Sequence, residues 1–101
     1  MSLPVINVMN ENALPETIEQ AVRLLKSLIE KGEQDEIAAM PESDLIRLHM
    51  GLGQWIRNTM GLWQGNARLL AATGERHPDD ASGVIIQAFW QVLQDERTKV
   101  H

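Results

Sequence analysis

The chain has 101 residues, 44% of them hydrophobic and 23% charged, which describes one small globular domain and excludes a disordered segment. A net charge of −5 argues against a general nucleic-acid or acidic-membrane binder, and the absence of cysteine removes disulfide frameworks and thiolate metal sites. No run approaches the roughly 20 apolar residues of a membrane span, and "MSLPVINVMNENALPET" has no basic n-region or long apolar run, so a cytoplasmic location is expected.

Leu, Ala, Met, Gln and Glu dominate, while Tyr is absent and Phe89 is the single phenylalanine, a balance that favours helix over sheet. Residues 1–13 read as an extended arm, in which "VINV" has the look of a short strand with nothing to pair with. "LPETIEQAVRLLKSLIEKG" predicts a helix with Pro15 in the first turn, Glu16 and Glu19 at the positive end of its dipole, and Gly32 closing it after Lys31. Ile18, Ala21, Val22, Leu25, Leu28 and Ile29 form its apolar stripe.

"EQDEIAAM" is a short helical turn ended by Pro41. A second long helix is predicted over 43–59, with Ser43 as its N-cap. "GLWQGN" is a turn without a P-loop lysine, and Asn66 can cap the short helix that Gly74 stops. Asp79 or Asp80 can cap the last helix, with Ser82 bonding back into its first turn, and the tail at 97–101 is expected to fray. In that helix the apolar residues between Val84 and Leu93 cover roughly two-thirds of the circumference, leaving Gln87, Gln91 and Gln94 on the remaining arc. Such a helix is either the centre of the bundle or part of a subunit interface. The fold expected over 14–96 is therefore all-α: a compact bundle of four to five helices around a central apolar C-terminal helix.

The most informative stretch is "HMGLGQWIRNTMGLWQGN", residues 49–66. On a helical wheel Leu45, Leu48, Leu52, Trp55 and Ile56 share one arc, and His49, Gly53 and Arg57 follow one another along its flank. Gly51 and Gly53 each cost about 1 kcal/mol relative to alanine inside a helix, so close approach of another backbone or of a ligand is expected there. Arg57 reads in two ways. It is a helix-end cation tied to Asp79 or Asp80, with an Arg57–Asp80 pair joining the two helix ends, or a clamp for an anion in a pocket with His49, Asn58 and Trp63. Trp55, Trp63 and Trp90 are most simply core residues. "HPDDAS" is helix-start chemistry before it is a metal site, since no HExxH or calcium-loop pattern accompanies it.

Together, "LHMGLGQWIRNTMGLW", "N" and "HPDDASGVII" resemble a family of small bacterial domains of unknown function. The matching positions are His49, Gly53, Trp55, Ile56, Arg57, Asn58, Gly61, Leu62, Trp63, Pro78, Asp79, Asp80 and Ser82. The resemblance implies a compact helical domain in the bacterial cytosol, and it implies no activity, cofactor or metal.

Charge adds a functional expectation. Residues 1–46 hold nine acids against three bases, whereas residues 47–101 hold five acids against six bases. The first reading is a non-enzymatic interaction module, an adaptor or an immunity-type inhibitor, that meets a basic protein partner through an acidic face containing Glu33, Asp35 and Glu36. The alternatives are a small-ligand site, catalytic or not, built from His49, Arg57, Asn58, Trp63, Asp79 and Asp80, and a homodimeric scaffold that pairs through the last helix. No catalytic set, cofactor fingerprint or nucleic-acid surface can be defended from these residues.

Overall fold

The computed structural model describes residues 14–99. The expected arm at 1–13, with its "VINV" segment, and the end of the tail at 100–101 lie outside the described residues. Five α-helices follow in order: α1 (Ile18–Leu28), α2 (Lys31–Ala39), α3 (Gln54–Thr59), α4 (Ala67–Thr73) and α5 (Pro78–Lys99). Between α2 and α3 the chain passes through a 3-10 helix (Glu42–Leu48) and then a π-helical turn (His49–Gly53). No strand occurs among the described residues. The fold is all-α, as the composition predicts.

Helix α5 is the central element. It touches each of the other four helices and both irregular segments. Ala81, Ile85 and Phe89 are fully buried along it, and they meet Ala21 and Leu25 of α1, Ile56 of α3 and Leu69 of α4 in one continuous core. This is the packing that its wide apolar arc requires.

Several boundaries differ from the sequence expectation, each for a local reason. The first helix ends at Leu28, not Lys31, and Gly32 lies inside α2. Ile29 turns extended (φ −86°, ψ 130°) and stays buried, while the Gln34 amide donates to the Lys26 and Ile29 carbonyls at 3.0 and 2.7 Å. That side chain satisfies carbonyls that a terminal glycine motif would otherwise serve through backbone N–H groups. At the other end Thr17 is the cap, its hydroxyl accepting from the Gln20 amide, so Pro15 precedes the helix rather than opening it.

The predicted helix at 43–59 is α-helical only over its last six residues. The 3-10 segment starts at Glu42 without a side-chain cap, so Ser43 does not fill that role. A tight 3-10 helix followed by a wide π turn changes the phase of the side chains. Leu45, Leu52 and Ile56 still reach the core, with Leu48 and Trp55 half-buried, so the inner stripe survives. Ile46 and Met50, which lie opposite that stripe, are outside, 73% and 75% exposed.

Finally, α5 begins at Pro78, and Asp79 and Asp80 occupy its first turn rather than the cap position. His77 takes over the capping function, its Nδ1 accepting from the Asp79 amide at 3.1 Å.

Candidate functional site

Arg57, in the last turn of α3, sends its guanidinium back along the helix to the start of α5. Nε lies 3.2 Å from Asp79 Oδ1, and Nη1 donates to Ser82 Oγ at 3.0 Å and, at the limit of a hydrogen bond, to the His49 carbonyl at 3.5 Å. The arginine side chain is 8% exposed. Ser82, fully buried, donates its own hydroxyl hydrogen bond to the Asp79 carbonyl at 2.9 Å. One cation thus joins the π turn, α3 and the first turn of α5.

Gly53 makes this possible. A Cβ at that position would stand 3.0 Å from Arg57 Nη1 and 3.6 Å from Ile86 Cδ1. The glycine expected to mark a close approach does mark one, and what approaches is the protein's own guanidinium. At Gly51 an added Cβ would meet nothing within 4 Å. No contact in the structure explains that second glycine.

The six residues proposed for a ligand site therefore separate. Arg57 and Asp79 form the tie, and His49 contributes its backbone carbonyl. Asp80 and Asn58 are exposed and outside the tie. Trp63 is not a core residue: it is 51% exposed and stands edge-on to the His77 ring, with centroids 5.7 Å apart and planes at 87°. It is turned out because Leu62 before it is buried in a tightly bonded turn. Gly61 and Gly65 have φ of +78° and +92°, and the Asn66 amide donates to the Met60 and Pro15 carbonyls at 2.8 and 2.9 Å. Asn66 Oδ1 also caps α4 by accepting from the Leu69 amide at 3.3 Å.

This geometry restricts the chemistry open to Arg57. Nε and Nη1 are already committed to Asp79, Ser82 and the His49 carbonyl. A forked hydrogen bond to an anion needs two adjacent free donors, so an anion would have to displace Asp79, Ser82 or the His49 carbonyl. Around "HPDDAS", and elsewhere among the described residues, no three His, Asp or Glu side chains converge as metal ligands.

The profile of a family described as a domain of unknown function (DUF6794) matches residues 14–93. The chain belongs to that family. Neither a search of curated proteins nor one of solved structures found a match. The DUF6794 stretch takes in both the Arg57 tie and α2, and membership carries no activity with it.

A second place on the molecule has exposed groups that the fold leaves unused. The 3-10 and π segments form a ridge with Ile46 and Met50 outside. On one side, a cavity of about 180 Å³ is lined by Glu42, Leu45, Ile46, His49, Ile86 and Gln87. On the other, a cavity of about 220 Å³ lies between the ridge and α2. The acids singled out on α2 divide here. Asp35 is paired with Lys31 at 2.7 Å, whereas Glu33 and Glu36 both line the second cavity. Sequence reading found these acids from local charge. Ile46 and Met50 fall opposite the core arc on a helical wheel, so the sequence carries a signal for their exposure as well.

Proposed function

We propose that this protein is a non-enzymatic interaction module, a small acidic adaptor or immunity-type inhibitor of the bacterial cytoplasm, that docks on a protein partner with a basic, partly apolar surface. The observation that carries the reading is the pair Ile46 and Met50, four residues apart on the ridge and 73% and 75% exposed. Large apolar side chains displayed on the surface of an acidic protein suit a contact with an apolar centre and a charged rim. The acidic first half of the chain supports a basic partner through electrostatic complementarity. The use of Arg57 inside the fold favours this reading over an anion site.

The test is partner capture followed by reconstitution. A partner isolated with the wild-type chain should rebind as a pure component, saturably and with salt-sensitive affinity. Charge reversal at Glu33, Asp35 and Glu36, or Ile46→Asp with Met50→Asp, should abolish that binding in a chain that still folds. Retention of every partner by both variants would remove the proposal.

A further inference from the structure

The cavity between α2 and the ridge has an apolar interior formed by Ile29, Ile37, Met40, Leu48 and Leu52, at a volume of about 220 Å³. Its other two lining residues are Glu33, half-buried, and Glu36, exposed. These two acids sit three residues apart on one helix, so both carboxylates reach the same rim. Some acids of the described surface are matched: Glu16 with Arg68, Asp35 with Lys31, Asp44 with Arg47 and Glu96 with Lys26. Glu19, Glu30, Glu75 and Asp80 are as unpaired as Glu33 and Glu36 but line no apolar cavity with a second acid. Among the described residues, the Glu33 and Glu36 side chains form no ion pair or hydrogen bond.

We infer that this cavity receives a single lysine or arginine side chain from the protein partner, its aliphatic stem against the five apolar residues and its cationic head between Glu33 and Glu36. The inference rests on the interaction-module reading and names the anchor that such a partner would supply. An apolar interior with a doubly anionic rim matches the one class of side chain that carries a long hydrocarbon stem and a positive end. A wholly apolar side chain would fill the interior and leave both carboxylates unmatched. A carboxylate-bearing one would be repelled. The site is also held firmly, because Gln34, between the two acids, anchors the start of α2 to the end of α1.

The experiment uses the full chain with two small probes, n-butylguanidinium and n-butylammonium, and n-pentanol as the neutral control, read by methyl NMR. Saturable shifts confined to the Ile29, Ile37, Leu48 and Leu52 methyls with a cationic probe are expected. The stronger of the two cations identifies arginine or lysine as the better anchor. Glu33→Gln with Glu36→Gln, conservative changes at the rim, should weaken probe binding about tenfold, as loss of two exposed ion pairs implies. Added salt should weaken it too. Equal binding of n-pentanol, or unchanged binding by the double variant, would overturn the assignment. If a captured partner is lost with Ile46→Asp and Met50→Asp but kept by the double glutamine variant, the module stands and the anchor is wrong. Probe binding as expected with no partner captured sustains the site and removes the module.

Discussion

Arg57 Nε lies 3.2 Å from Asp79 Oδ1, joining the end of α3 to the first turn of α5. The partners are unequal, with side chains 8% and 45% exposed. After Arg57→Ala the Asp79 carboxylate still has water and the positive end of the α5 dipole. After Asp79→Ala the guanidinium keeps only Ser82 and a carbonyl. We expect Asp79→Ala to cost about 2–4 kcal/mol, because it strands a buried charge. A double-mutant cycle in urea should return a coupling of about 1–3 kcal/mol; simple additivity would show that the pair does not act as a unit.

The two glycines of the π turn should respond in opposite directions. Gly51→Ala meets open space, so it should stabilise by about 0.5–1 kcal/mol through reduced freedom of the unfolded chain. Gly53→Ala places a methyl 3.0 Å from a guanidinium nitrogen that Ser82 and the His49 carbonyl hold in place. It should destabilise by about 1–3 kcal/mol, the usual range for overpacking. Thermal unfolding of the two single variants checks the sign directly.

Asn66 joins three segments through one amide group, since its nitrogen serves Met60 and Pro15 while its oxygen caps α4. Asn66→Ala should cost about 2–3 kcal/mol, combining a lost cap with two unsatisfied carbonyls. Asn66→Asp retains the capping oxygen but faces both carbonyls with a carboxylate. It should recover no more than about 1 kcal/mol of that loss. Full recovery by Asp would mean that only the cap matters.

Trp90 and Trp63 should differ on replacement by phenylalanine. The Trp90 indole donates to the Met40 carbonyl at 2.9 Å, tying α5 to the end of α2, so its loss should cost about 1 kcal/mol. Trp63 has only an edge contact with His77 and is half exposed, so Trp63→Phe should stay within about 0.5 kcal/mol of wild type. Chemical denaturation of the two variants side by side tests the contrast.

Much of the candidate tie was legible before any coordinates. The spacing of His49, Gly53 and Arg57 put them on one helical flank, and the Arg57 head does fold over Gly53 towards the His49 carbonyl. The choice between Asp79 and Asp80 was not legible. Neighbouring positions in a first helical turn point about 100° apart, and only the docking angle of α3 on α5 selects one of them. Gln34 and His77 escaped notice because a capping glutamine and a capping histidine are read from the carbonyl or amide that they face, and that group belongs to the local fold.

What the sequence determined by itself was the all-α class and the wide apolar arc of α5, because periodicity and the width of an apolar arc are properties of a single segment. Short capping signals such as Asn66 and Gly74 were equally local. Tertiary structure decided where the first helix stops, since Ile29 must be buried and extended for α2 to turn back. It also decided that residues 42–53 take 3-10 and π geometry in place of a regular helix. That choice depends on packing against α5, and with it the Arg57 guanidinium is drawn inside.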